Sequence, residues 1–294
     1  MSHAATLGTT ARDLLALAKP RVTLLVVITT AGGLWLAPGS LSWAALFATL
    51  AGTVLVVAAA NTLNCWWERE SDKHMARTRT RPLPAGRMQP GAALALGLGL
   101  SLVSVPLLTA LVNPLTGILA AIALFSYVLV YTPMKQHSPH AVIIGSIPGA
   151  MPPLMGWTAV TGSIDAAGLV LFGILFIWQI PHFIAISLYR QQEYARAGIH
   201  TVPGTYGPTI ARWHMLGWSV VLVPVSLALW PLGIAGPIYL GMAALLGVGL
   251  VGLAVRGLRA ERPVAWARSY FLYTLAYLTL VFAALLVDAG PIHG

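Results

Sequence analysis

"VTLLVVITTAGGLWLAPGSLSWAALFATLAGTVLVVAAANTLNCWW", residues 22–67, contains no Asp, Glu, Lys or Arg. A membrane-crossing helix needs roughly 20 apolar residues, so this stretch holds two helices. The uncharged "APGS" at 37–40 turns the chain between them. Residues 88–134 and 213–255 are equally free of charge, with turns at "VNP" 112–114 and "PLGIAGP" 231–237. Residues 136–189 carry one charge, Asp165 near Gly162, and read as a further pair. Residues 269–287 add a last span. The expected fold is all-α: a polytopic membrane protein of nine transmembrane helices. Lipid leaves each segment to satisfy its own backbone polar groups, which selects helices. A β-barrel would need an alternating period that is absent. Composition agrees: 57 % of residues are hydrophobic and 9 % charged, against about 25 % charged in soluble domains.

The basic residues cluster at the N-terminus and near 68–87, 135, 190–212 and 256–268. With nine spans these positions share one side. The positive-inside rule then puts the N-terminus in the cytoplasm and the C-terminus outside. The net charge of +9 is thereby read as loop charge rather than a nucleic-acid surface. The N-terminal residues lack a signal-peptide pattern, and a bacterial plasma membrane fits best. Cys65 is the single cysteine; it excludes an internal disulfide and reads as a packing residue. The chain 1–294 is expected to form one domain. Two four-helix halves, roughly 16–134 and 135–255, would precede a ninth helix at about 269–287, with their polar loops at one mouth.

Charge returns abruptly in "NCWWERESDKHMARTRTRP", Asn64 to Pro82. Asn64, Glu68 and Asp72 are spaced i, i+4, i+8, and Met75 follows three residues later. If the second helix continues into the cytoplasm, these residues share a face. Two carboxylates so placed stay ionised only beside positive charge. Arg69, Lys73 and Arg77 are near in sequence, and a hard cation such as Mg²⁺ is the other candidate. Arg77, Arg79 and Arg81 follow, and guanidinium groups match phosphate oxygens. Acids for a metal followed by bases for phosphate suit a diphosphate.

Two further segments carry polar groups within apolar surroundings. "WQIPHFIAISLYRQQEYARAGIHTVPGTYG", Trp178 to Gly207, places Trp178 and His182 on one helix face, with Arg190 and Glu193 at the helix end. Pro181 is expected to distort that helix. "YTPMKQHSPHAVIIGSIPGAMPPLMGW", Tyr131 to Trp157, carries Lys135 as its one basic residue and a run of helix breakers from Pro148 to Pro153. The breakers fit either a cavity or close helix packing.

These motifs resemble the UbiA-type intramembrane prenyltransferases and, among them, the protohaem IX farnesyltransferases (haem O synthases). The resemblance rests on "AKPRVTLL" 18–25, the Asn64–Glu68–Asp72 motif, "RPLPAG" 81–86, "YTPMK" 131–135, "GAMPPLMGW" 149–157, "WQIPHF" 178–183 and "YARAGI" 194–199. It spans about residues 16 to 280. It implies helices around a central cavity and transfer of farnesyl from farnesyl diphosphate to a vinyl group of haem B, with water addition. Mg²⁺ would be the cofactor, and haem O would pass to a haem-modifying enzyme or a terminal oxidase.

The resemblance also assigns residues. Asn64, Glu68 and Asp72 fall on the catalytic metal–diphosphate motif, and Glu193 on a second acidic motif. Arg77, Lys135 and Arg190 would hold the diphosphate; Arg69 and Lys73, expected from their nearness to the two acids rather than from the resemblance, complete the set of expected diphosphate contacts. Trp178, Gln179, His182 and Trp157 are expected beside the haem or lining the cavity. For His182, ligating iron, orienting a propionate and delivering water all stay open. Glu68 stands where the family has Asp, and Gln192 stands where it has an acid, which leaves one or two metal ions open. The competing functions are prenylation of another aromatic acceptor (a hydroxybenzoate, naphthoate or chlorophyllide) and haem or quinol transport.

Overall fold

The computed structural model describes residues 3–76 and 78–288, and every regular element among them is helical. In chain order these are α1 (His3–Ala18), α2 (Pro20–Leu36), α3 (Trp43–Trp67), α4 (Pro90–Leu111) and α5 (Pro114–Phe125). A π-helical turn, Ser126–Tyr131, leads into the short α6 (Thr132–Met134). Then come α7 (Ala141–Thr161), α8 (Ala166–Tyr189), α9 (Gln191–Arg196), α10 (Val202–Leu227), α11 (Pro237–Leu258) and α12 (Pro263–Asp288).

Helix starts are written locally. Ser42, Asn113, Asp165 and Thr201 each accept a backbone N–H of the first turn through the side chain, capping α3, α5, α8 and α10. Helices α2, α4, α5 and α11 begin on proline, whose missing N–H costs nothing there. Helix α10 bends at Gly207, whose φ of 85° suits a residue without Cβ.

Among the described residues, seven helical segments are long and apolar enough to cross a membrane: α3, α4, Pro114–Met134, α8, α10, α11 and α12. Residues Ala11–Ala18 and Pro20–Leu36 make an eighth if that pair, bent by 49°, counts as one span. The chain is therefore a polytopic membrane protein. Helix α7 is long enough but is diluted by Pro148, Pro152 and Pro153.

Helix α7 lies centrally, against α2, α5 and α8; α3 packs on α4, α8 on α10 and α12, and α11 on α10 and α12. The breaker run serves close packing at its outer end. A Cβ on Gly156 would collide with the Thr30 carbonyl of α2, and one on Gly33 with that of Pro153. Small residues that let backbones touch drive helix association where lipid offers no hydrophobic gain. Between α10, α11 and α12, buried hydroxyls satisfy one another: Ser219 bonds Tyr270 at 2.6 Å, Ser226 bonds Tyr277 at 2.7 Å, and Tyr239 donates to the Ser226 carbonyl.

Candidate active site

The charged stripe starts inside α3 and continues past its end. The expectation of a helix running on through Asp72 needs correction, because α3 stops at Trp67. Register is nonetheless kept by two consecutive backbone bonds. Glu68 N–H donates to the Asn64 carbonyl at 3.0 Å, and Asp72 N–H to the Glu68 carbonyl at 2.8 Å. A 3₁₀ turn, Ser71–His74, then closes the exit. Asn64, Glu68 and Asp72 are 2 %, 3 % and 4 % exposed, so the three line up inward at the mouth of the bundle.

Each stripe residue meets one basic residue from a different segment. Lys135, just beyond α6, forms an ion pair with Glu68 Oε1. Arg81 Nη1 donates to Asp72 Oδ2 at 2.7 Å. Lys19 Nζ donates to Asn64 Oδ1 at 3.0 Å, while Asn64 Nδ2 donates to Thr132 Oγ1 at 3.1 Å. Buried carboxylates persist only when paired in this way. Burial by itself would lower the pKa of the Lys135 ammonium, but Tyr131 and Glu68 outweigh it and hold it above the ordinary lysine value.

The π-helical turn aims this wall. Pro133 has no N–H for the preceding turn and its ring crowds the carbonyl four residues back, which favours a widened helix. Thr132 Oγ1 donates to the Tyr127 carbonyl at 2.8 Å. The rings of Tyr127 and Tyr131 stack at 5.4 Å, and Lys135 Nζ lies 5.8 Å from the Tyr131 centroid. One stretch thus delivers Thr132 to Asn64 and Lys135 to Glu68.

Other expected anion contacts stand apart. Arg69 donates to the Trp66 carbonyl at 2.8 Å and lies over the Trp66 ring. Lys73 pairs with Glu70 at 2.6 Å on the exposed rim. Arg77 lies outside the described residues. Arg190 pairs with Glu193 at 3.0 Å, both at least partly exposed. Among the described residues no three of His, Cys, Asp and Glu converge on a metal-sized site, and the Glu193 carboxylate is paired with Arg190.

Beside the expected Lys135, the pairing is done by Lys19, which the sequence did not single out, and by Arg81, read only as one of the phosphate-matching arginines. Lys19 is 45 residues from Asn64, and no helical period links them. Arg81 offers one signal, its place among the arginines that follow Asp72. A second layer holds its loop. Buried Asp13 of α1 accepts from Arg87 at 3.1 Å, and Arg87 donates to the Thr80 carbonyl at 3.0 Å.

The aromatic segment on α8 forms a separate wall. Helix α8 runs without a break through Pro181. Trp178 and His182 stack at 4.6 Å, and Trp178 Nε1 donates to the Thr274 carbonyl of α12 at 2.7 Å. His182 Nδ1 lies 2.8 Å from Thr274 Oγ1, which itself donates to the Phe271 carbonyl at 2.6 Å. With that proton committed, Thr274 accepts from Nδ1–H, and the neutral ring keeps its lone pair on Nε2. Gln179 donates to the Leu175 carbonyl at 2.9 Å, and its amide lies so close to Gly149 that a Cβ there would collide. Trp157 belongs elsewhere. It is sealed near the far end of α7, donating to Asp165 at 3.0 Å, and is not brought to the other three.

The donor chemistry of the stripe fits Mg²⁺. Glu68, Asp72 and Asn64 offer hard oxygens on successive turns, and Mg²⁺ typically takes one or two carboxylates together with substrate phosphates. Lys135 and Arg81 would then be freed toward phosphate oxygens.

Residues 26–276 match the model of the UbiA prenyltransferase family. A relative named protoheme IX farnesyltransferase, from Anaeromyxobacter sp. (strain Fw109-5), is 52 % identical over 95 % of this chain and 94 % of its own length. One of the same name from Myxococcus xanthus (strain DK1622) is 48 % identical over 99 % of each. Among solved structures, a digeranylgeranylglyceryl phosphate synthase superposes with a TM-score of 0.83 at 19 % identity, covering 95 % of this chain and 98 % of that one. A UbiA homolog from Archaeoglobus fulgidus bound to GPP and Mg²⁺ gives 0.67 at 15 % identity, over 93 % and 99 %.

Proposed function

This chain belongs to the UbiA prenyltransferase family, and on that premise we propose that it farnesylates haem B. Farnesyl diphosphate and haem B are the substrates; haem O and diphosphate are the products. The observation that carries the chemistry is the buried Asn64–Glu68–Asp72 stripe matched by Lys135 and Arg81. The choice of acceptor is supported by relatives named protoheme IX farnesyltransferase at 52 %, 51 % and 48 % identity.

The allylic C–O bond breaks with its electron pair passing to the diphosphate. Lys135 and Arg81 donate hydrogen bonds to the oxygens on which that charge grows, where low-dielectric surroundings make such donors effective. Mg²⁺, when bound, would be held by Glu68, Asp72 and Asn64 and would neutralise diphosphate charge. The stacked Tyr127 and Tyr131 rings lie beside Lys135 and offer π-faces to the allylic cation. The haem vinyl π-pair closes the new C–C bond. Water captures the cation left beside the porphyrin and gives up a proton. Trp178, Gln179 and His182 would flank the macrocycle. Glu193 and Arg190 serve the outer rim of the same mouth.

We place the protein in a bacterial plasma membrane, crossing it nine times with the N-terminus cytoplasmic and the C-terminus outside. Counting α7 and the bent α1–α2 unit as spans supports this, as does the basic charge gathered in alternate loops. The halves 16–134 and 135–255 share a contact order, α2–α3–α4–α5 in one and α7–α8–α10–α11 in the other, which supports the repeat within one domain. The product passes to a haem-modifying enzyme or a terminal oxidase.

The test is direct. Membranes containing the protein, given haem B, farnesyl diphosphate and Mg²⁺, should yield a species with the mass of haem O. A prenylated benzoate or naphthoate with no haem O would reassign the acceptor.

A further inference from the structure

Lys19 occupies a backbone position that does not suit it. With φ 49° and ψ 67° it is the one non-glycine at positive φ among the described residues. The left-handed region is costly for an L-residue, and Pro20 favours an extended conformation before it. Such strain persists where surrounding structure holds it. Here α3 does the holding: Asn61 Nδ2 donates to the Ala18 carbonyl at 3.2 Å, and Asn64 Oδ1 takes the Lys19 ammonium at 3.0 Å.

The turn itself does not call for the lysine side chain. The first turn of α2 is met by the Lys19 carbonyl, which accepts from Val22 and Thr23 N–H at 2.9 and 3.1 Å. No side-chain cap is made. Glycine would relieve the backbone and keep these bonds. What lysine adds is an ammonium, and its counter-charge is missing. The neighbouring carboxylates are taken, Glu68 by Lys135 and Asp72 by Arg81. Lys19 has a neutral amide oxygen, which uses one of three N–H donors. Among the described residues, the three cations Lys19, Lys135 and Arg81 meet the two anions Glu68 and Asp72, an imbalance that an incoming anion would remove.

We propose that Lys19 is a further substrate-binding residue, held in its left-handed turn so that its ammonium takes oxygens of the prenyl diphosphate beside Asn64. The inference rests on the prenyl-transfer reading above, and its position one turn from Glu68 favours the diphosphate over a carboxylate of the acceptor.

The test uses the full-length protein in nanodiscs, with Lys19→Met, Lys19→Gly and Lys19→Arg beside the wild type. Inorganic diphosphate with Mg²⁺ is titrated calorimetrically, and KM is measured separately for farnesyl diphosphate and haem B. Losing one charge-assisted bond predicts that Met and Gly weaken diphosphate binding and raise the farnesyl diphosphate KM by roughly ten- to hundredfold. Arg should retain most of the affinity, the haem B KM should hold, and Gly should melt no lower than Met. Wild-type diphosphate affinity in Lys19→Met would overturn the proposal. So would a rise confined to the haem B KM, which would give the ammonium to a propionate. Equal losses in all three variants, Arg included, would reduce Lys19 to a structural role. Failure of the acceptor assignment reads differently: wild type would make no haem O while the diphosphate titrations still separated the variants.

Discussion

The long helices α3 and α8 leave the bundle in contrasting ways. After α3 the chain turns inward: Glu68 and Asp72 stay sealed, drawing Lys135 from beyond α6 and Arg81 from the loop that follows. After α8 the chain opens outward, and Arg190 and Glu193 satisfy each other on the short α9 surface. Inside the membrane the contrast reverses. Helix α8 presents the Trp178–His182 stack tied to α12, whereas α3 at comparable depth is lined by Ala, Val and Thr. On the proposed reading, the mouth below α3 takes the anionic head group and the α8–α12 face supplies the aromatic wall.

The largest expected effects fall on the sealed mouth. Glu68→Gln and Asp72→Asn should each lower kcat by about a hundred- to a thousandfold, the range for removing one electrostatic contact to developing charge. Each also strands a buried cation, so melting should drop for both; kcat is compared at a temperature where each remains folded. Lys135→Met should follow closely, with farnesyl diphosphate KM rising and haem B KM unchanged. Because the Lys135 pKa is raised, its pairing energy is fully present below the ordinary lysine value and is lost only as pH climbs through the raised one. An activity profile from neutral to mildly alkaline pH should therefore show no loss assignable to this pair.

An intermediate effect is expected on the aromatic wall. His182→Phe keeps a ring against Trp178 but removes the bond to Thr274 and the Nε2 lone pair. A rise of about tenfold in haem B KM, in line with one lost hydrogen bond, with farnesyl diphosphate KM constant, would sharpen the division between the charged mouth and the aromatic wall. A matching rise in both would break it. The smallest effect belongs to Glu193→Gln. Its carboxylate is paired and partly exposed, where such interactions contribute about 0–1 kcal/mol, so a change of a fewfold is expected in steady-state assays.

Much of the fold could be read in advance because lipid simplifies the code. A charge-free interval more than twice a span must turn, and the chain turns at 37–40, 112–114 and 231–237 as the Pro and Gly residues indicate. The α1 helix and its 49° bend were not legible, since the N-terminal segment is short and mixed in character. At the site, periodicity found Asn64, Glu68 and Asp72 because they lie on successive turns. It could not find their partners. Lys19 is set by a strained turn far away in sequence, Arg81 by a loop held through Asp13 and Arg87, and Lys135 by a π-helical turn. Nearness in sequence favoured Arg69 and Lys73, which the turn after Trp67 instead leaves beside Trp66 and Glu70. Trp157 is expected beside the haem or on the cavity wall from its motif, although its place just before Gly162 and Asp165 already puts it at the end of α7 away from Lys135.

The most direct measurement is diphosphate affinity, with Mg²⁺ present, for the wild type, Asp72→Asn and Glu193→Gln in nanodiscs. If the mouth below α3 grips the head group, Asp72→Asn should lose about a hundredfold or more in affinity, and Glu193→Gln should stay within a fewfold of wild type. Wild-type affinity in a folded Asp72→Asn protein would contradict the account.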